Sequence, residues 1–371
     1  MSWIRVSIAF SNNDWQRIRD TYNAWWNHEL DRPILQLVVP GNDPGRTEPE
    51  LPRYDFQSFY DLSVSASEIV DRWDYDLSCM KFLGDSFPSV FPNFGPGVIA
   101  AFMGADLENG DETVWFHPRV EVEISQLRFK YNPDNPWLER IISICREGSA
   151  RWKGLVQIGM TDLGGNLDVL STFRPSGNLL FDLYDYPDEV RRLTWEMHEA
   201  WWRYFKDIDS EFRGTNAGYT TWTTVFSTEP HYMLQCDFSY MMGPEMFDEF
   251  VKPEIEALCR KLPRSFYHLD GPGQLVHLDS LLNIPELKGI QWVPGAGAPD
   301  YSHWPQVYRK IRDHGKLIQL FGDIQTLYTV TEQLGNSKGI LFTGLVASED
   351  EARECIDRYS NSGRRIYPMA Q

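Results

Sequence analysis

The chain has 371 residues, is 42% hydrophobic and 24% charged, and carries a formal net charge of −18. That charge excludes nucleic acid and anionic lipid as partners, since neither would meet a basic surface, and it disfavours a substrate bearing many carboxylates. No apolar run approaches the roughly 20 residues of a membrane span, the start lacks a signal-peptide stretch, and five scattered cysteines without a Cys-x-x-Cys pair read as reduced thiols; the expected location is the cytoplasm.

The first element is a helix over 12–29, with Trp15, Ile18, Tyr22, Trp25 and Trp26 at helical spacing and Asn12, Asn13 or Asp14 available as its cap. Core packing explains its aromatic face better than an interface does. A strand follows at 33–39, then a polar stretch with a helix near 63–73. Beyond Lys153 the pattern becomes regular. Apolar strand candidates fall at 154–159, 220–226, 232–236, 265–269, 290–293, 317–320 and 340–343. Helices are expected from Asp185 through Phe205, and after Gly243-Pro244 with a bend at Pro253. Others run from Trp304 to Gly315, from Asp323, and from the capping box Ser348-x-x-Glu351. Strands alternating with helices indicate a parallel sheet with crossover helices. With 33–39 and a segment near 90–101 included, about eight strands are available, the number of a closed (β/α)8 barrel. The chain reads as one domain over 1–371, with a helical cap over 1–85 and the barrel body over 86–371.

In such a barrel, chemistry sits at the carboxyl ends of the strands. The most informative stretch is Tyr267-His268-Leu269-Asp270-Gly271-Pro272-Gly273. His268 and Asp270 are two apart on a strand and so share a face, while Gly271 allows backbone or ligand to approach closely. Asp237 follows the strand that ends in Gln235-Cys236 and has no local capping task. Asp162 follows 154–159, and Gln291 with Trp292 would line the interior beside substrate. The histidine-carboxylate pair can serve two chemistries. As a metal half-site it needs further ligands, for which Cys236 is the available thiol; as an acid-base pair, Asp270 or Asp237 would orient the imidazole. No Gly-x-Ser-x-Gly elbow, P-loop or His-Glu-x-x-His occurs, so hydrolase-triad, nucleotide and zincin readings fall away.

The block Gln235-Cys236-Asp237-Phe238-Ser239 followed by Gly243-Pro244-Glu245-Met246-Phe247-Asp248-Glu249-Phe250-Val251-Lys252-Pro253 resembles the uroporphyrinogen decarboxylase superfamily. Tyr267-His268-Leu269-Asp270-Gly271, Gly289-Ile290-Gln291-Trp292 and His314-Gly315-Lys316 fit the same resemblance, which covers roughly 155–358. It implies a (β/α)8 TIM barrel with additional N-terminal helices, and either tetrapyrrole decarboxylation or methyl transfer between a corrinoid protein and a thiol. The decarboxylase's Arg-x-x-Gly-Arg motif is missing, since Pro40-Gly41-Asn42-Asp43-Pro44-Gly45-Arg46 stands there. The methyltransferase zinc site begins His-x-Cys; here it reads His268-x-Asp270, with no later cysteine near Thr343-Gly344-Leu345. The expectation is a methyltransferase or demethylase acting on a small substrate. His268, Asp270 and Asp237 would be catalytic; His268, Asp270 and Cys236 would hold zinc or another metal; Gln291, Trp292, Asp162, Gln235 and Gly271 would bind substrate. A corrinoid protein is the implied partner and a homodimer is compatible. The alternatives are a decarboxylase of a tetrapyrrole or smaller acid, and a non-catalytic corrinoid- or tetrapyrrole-binding barrel.

Overall fold

The computed structural model describes residues 8–360. Among the described residues the strands are β1 (Ile34–Pro40), β2 (Met80–Gly84), β3 (Ser89–Val90), β4 (Asp106–Asn109), β5 (Val114–His117), β6 (Gln157–Ile158), β7 (Met233–Gln235), β8 (Phe266–Asp270), β9 (Gly289–Val293), β10 (Leu317–Asp323) and β11 (Ile340–Leu345). Seven of them form one sheet in the order β2-β1-β11-β10-β9-β8-β7. All neighbours in it are parallel except β2, which runs antiparallel to β1. Short strands β3 and β6 pair in parallel, and β4 with β5 makes a separate antiparallel hairpin. Helices follow most sheet strands, giving a mixed α/β fold. No described helix is long and apolar enough to cross a membrane.

Closure into a barrel is not formed by strand ladders among the described residues: β2 and β7 are the edges of the main sheet. Past the end of β2, side chains continue its pairing with β1. Leu35 N–H donates to Asp85 Oδ2 at 2.9 Å, and Leu37 N–H donates to Ser86 Oγ at 2.6 Å. The expected strand at 220–226 is reduced to an isolated bridge between Met160 and Thr221. Thr224 takes φ 59° there, which extended pairing does not allow. Of the 90–101 segment only Val90 is in a strand, and Ile99–Phe102 is helical.

The first helix, Asn12–Trp26, is capped by Ser11 rather than by a residue inside it; Ser11 and Asp14 form a reciprocal capping box. Its buried face (Trp15, Ile18, Tyr22, Trp25, Trp26) packs on Ile34, Phe226, Met233, Phe266, Leu317 and Leu341. These include residues at the amino ends of five parallel strands, so the helix plugs that end of the sheet. Trp25 stacks on Phe266 with ring centroids 5.8 Å apart, and removing such a buried indole costs about 3–5 kcal/mol. The larger core lies between the sheet and the outer helices. The expected bend at Pro253 is a break at Val251, between helices Pro244–Phe250 and Lys252–Lys261. Pro253 falls in the first turn of the second helix, where its missing N–H has no partner to lose.

Candidate functional site

Parallel register aligns Gln235 of β7 with His268 of β8, His268 with Gln291 of β9, and Gln291 with Gln319 of β10. Residues paired in register project to the same face, so one polar row crosses four strands whose flanking residues are apolar and buried. Tyr267, Leu269, Ile290 and Trp292 point the opposite way, into the helix-covered core.

This row fixes the chemistry of His268. The carbonyl of Thr223 can only accept, and it takes a hydrogen bond from Gln319 Nε2 at 2.7 Å. Gln319 Oε1 therefore accepts from Gln291 Nε2, at 2.8 Å. Gln291 Oε1 is left to accept from His268 Nδ1, its partner in a short hydrogen bond. In the neutral ring Nδ1 thus carries the proton and Nε2 offers a lone pair to a metal or a proton. The edge of Trp222 closes on the ring at 5.2 Å between centroids, 78° from parallel.

Asp270 ends β8 one pleat beyond His268, and Asp237 opens the short 3-10 turn Asp237–Met241 after β7. One ligand atom from each of Asp237, His268 and Asp270 can be chosen so that all lie within 4.8 Å of one another. Asp237 is exposed and the other two half-buried, so the trio faces solvent. Gln274 Nε2 donates to Asp237 Oδ1 at 3.3 Å. Behind the trio, Asp162 accepts from Gly164 N–H at 2.9 Å and from Gln235 Nε2 at 3.2 Å. Asp168, in the helix Asn166–Phe173, accepts from Phe238 N–H at 2.7 Å; its other oxygen is buried without a partner among the described residues.

Negative charge accumulates here. Burial, then the charge of Asp237, pushes the Asp168 carboxyl up to about 7. Burial raises Asp162 to about 6, with Asp237 adding to the effect and His268 and the Gly164 N–H opposing it. Asp270 is raised by burial and by Asp237, against the opposing influence of His268. None of these four carboxylates has a lysine or arginine within ion-pair distance among the described residues.

The structure thus brings together His268, Asp270 and Asp237, supported by Gln291, Gln235 and Asp162. It separates two other candidates. Cys236 is next to Gln235 and takes the opposite pleat; its thiol is buried with Asn166, Leu167 and Val251, and burial drives it well above its ordinary range. It is not among the grouped ligand atoms. Trp292 alternates away from Gln291 and packs edge-on against Trp304 at 5.0 Å in the core. Gly271 does sit at the strand end with φ 79°, yet the Gly271-Pro272-Gly273 turn packs against Tyr240 rather than leaving room. A Cβ on Gly273 would lie 2.5 Å from that ring.

Sequence reading missed Gln319, Asp168, Trp222 and Gln274. A glutamine in the middle of an apolar strand was the available signal for Gln319. Asp168 reads as an ordinary first-turn acid of a helix, and nothing local distinguishes it.

No family model matches this chain, and no curated protein matches it. Among solved structures, a methyltransferase from Methanosarcina mazei aligns with a TM-score of 0.51 at 12% sequence identity, covering 73% of this chain and 80% of that one. The likeness is one of fold.

Proposed function

We infer that the chain is an enzyme that moves a methyl group onto or off a small substrate, at a divalent-cation site built by Asp237, His268 and Asp270. The observation that carries this reading is the convergence of these ligand atoms within 4.8 Å at the carboxyl end of parallel strands. The fold shared with a methyltransferase from Methanosarcina mazei supports the reaction class, as do the resemblance of Gln235–Pro253 to the uroporphyrinogen decarboxylase superfamily and the place of His268-x-Asp270 where its corrinoid-linked branch has His-x-Cys. A corrinoid protein is the methyl carrier we assign on that resemblance, and a (β/α)8 barrel the architecture.

The residues fit a cation that accepts oxygen and nitrogen ligands. Two carboxylates and one imidazole form a harder donor set than thiolates do, suited to zinc in an oxygen-rich site, manganese or iron(II). Bound there, such an ion would lower the pKa of a substrate thiol or hydroxyl. The chain's own residues supply the rest. The Thr223–Gln319–Gln291 relay holds His268 in one tautomer and orientation. As the nucleophile–methyl bond forms and the donor–methyl bond breaks, the nucleophile's proton leaves to solvent past Asp237, the most exposed member of the trio. Trp222 and the Gly271–Gly273 turn with Tyr240 shield neighbouring surfaces.

Metal analysis of the purified chain, with methylcobalamin and a thiol as probe substrates, tests the reading. About one equivalent of divalent metal is expected, together with a visible-absorption change from demethylation, both lost in His268→Ala and Asp270→Ala while the fold persists by circular dichroism. Turnover retained by His268→Ala, or metal content unchanged in both variants, ends the assignment.

A further inference from the structure

The opposite end of the same strands carries a second feature, and it has the reverse charge. Arg264 lies just ahead of β8, Lys288 immediately ahead of β9 and Lys316 immediately ahead of β10. All three line a cavity of ≈ 710 Å³, with His28, His314 and Glu229 among the other walls. From Arg264 to Asp270 the chain advances six residues, so about 20 Å of strand separates this cavity from the Asp237/His268/Asp270 trio.

The donors differ in how far their hydrogen bonds are committed. Arg264 is held by Asn23 Oδ1 at 2.7 Å and faces Glu229 at 3.1 Å, which neutralises the one carboxylate in the wall. Lys316 gives two of its three protons to the carbonyls of Ile284 and Leu287, both at 2.6 Å, and keeps one. His314 donates from Nδ1 to Lys310 O at 2.8 Å, leaving Nε2. Lys288 is exposed and has no ion pair or side-chain hydrogen bond among the described residues. It lines the same cavity as His28 and Lys316, and its charge lowers both of them, after the larger effect of burial. Anchoring the strand ends explains Arg264 and Lys316, and His314 Nδ1 serves its own helix end, but Lys288, the His28 ring and His314 Nε2 have no such task among the described residues.

A cavity where cations outnumber acids, in a chain whose net charge is −18, selects for an anion. Its volume is in the range that holds a small organic molecule, about 300–1,000 Å³, and exceeds what a bare inorganic ion needs. Cationic N–H donors around a concave site suit the tetrahedral oxygens of a phosphate group. We propose that the amino-terminal end of the sheet, around Lys288, Lys316, Arg264, His28 and His314, is a binding site for a phosphate-bearing small molecule, distinct from the trio at the carboxyl end.

Calorimetric titration of the full chain with pyrophosphate and with glycerol 3-phosphate, at 0.15 M salt to suppress non-specific attraction, tests this. One saturable site is expected. Lys288→Glu should weaken it by about tenfold or more, the loss of one charge-assisted contact, and Lys288→Arg should keep it. Lys130→Glu makes the same change in net charge at an exposed residue outside the cavity and should leave binding intact. Metal content should be the same in all three variants, so the outcome is independent of the metal reading. Absence of saturable binding by either probe, or equal weakening by Lys288→Glu and Lys130→Glu, overturns the proposal.

Discussion

Gln291→Met isolates the amide relay, because methionine has nearly the same length and volume and creates no cavity. Gln291 is 1% exposed and Gln319 0% exposed. The replacement removes the acceptor of His268 Nδ1–H and the donor of the 2.8 Å bond to Gln319 Oε1. Gln319 Oε1 is then orphaned in the core, at about 1–3 kcal/mol, and the half-buried His268 Nδ1–H at about 1–2 kcal/mol, or roughly 2–5 kcal/mol together. A chain of 371 residues unfolds with an entropy of about 0.8 kcal/mol/K, so the melting temperature should fall by about 3–6 °C. With its ring released, His268 should bind metal about 10–100-fold more weakly. Differential scanning calorimetry and competition with a chelator measure the two effects. Gln291→Glu separates them: its carboxylate can still accept from His268 but cannot donate to Gln319 Oε1, so stability should drop while metal affinity is largely kept. If Gln291→Met alters neither melting nor metal affinity, the relay does not hold His268 and the tautomer argument is wrong.

Cys236→Ala should cost about 1 kcal/mol of stability by emptying part of a packed core and leave metal content unchanged by elemental analysis; loss of metal would return the thiol to the site. His231 is buried and its ring is lowered to about 4, from an ordinary value of 6.5, chiefly by burial. Its folded pKa lies below the unfolded one, so its contribution is fully present above pH 6.5 and lost as pH falls toward 4. That loss is worth about 3 kcal/mol. Urea unfolding of wild type and His231→Gln at pH 7, 5.5 and 4.5 should show a flatter acid limb in the variant, and parallel limbs would contradict the assignment. Gly273→Ala places a Cβ 2.5 Å from Tyr240 and should cost about 1–3 kcal/mol; a second change, Tyr240→Ala, should remove most of that penalty in a double-mutant cycle.

Much of the fold was legible because strands β8 to β11 are nearly continuous apolar runs between glycine or lysine breaks, as buried parallel strands are. His268 and Asp270 share a face by period-two spacing alone, and Asp237 stands at a strand end without a capping duty. The same rule, applied to Gln235-Cys236-Asp237, already sets Cys236 on the other pleat, so the thiol ligand was the weaker inference. Barrel closure depends on register and on contacts between distant residues, neither of which local pattern encodes. The segment 220–226 is rich in threonine and reads as β, yet Thr224 at φ 59° breaks it and turns the Thr223 carbonyl to Gln319. Gln319 and Asp168 acquire their roles only through that three-dimensional juxtaposition.

The electrostatics argue for a cation from a direction independent of the trio's spacing. Four carboxyl groups gather at this end of the strands, and the influences raising Asp162, Asp168 and Asp270 include Asp237 in every case. Gln235, Gln291 and Gln319 position the site with neutral dipoles, adding no positive charge to offset the acids. Nearby like charges that stay unneutralised cost stability at neutral pH, and a fold retains such an arrangement when something outside the chain compensates it. A divalent ion between Asp237 and Asp270 would balance those two charges and lower all the raised carboxyls together. Metal addition at pH 7 should accordingly release protons, measurable as a heat of binding that varies with buffer ionisation enthalpy; a heat identical in PIPES and HEPES, after correction for buffer dilution, would mean that no carboxyl there responds to the ion.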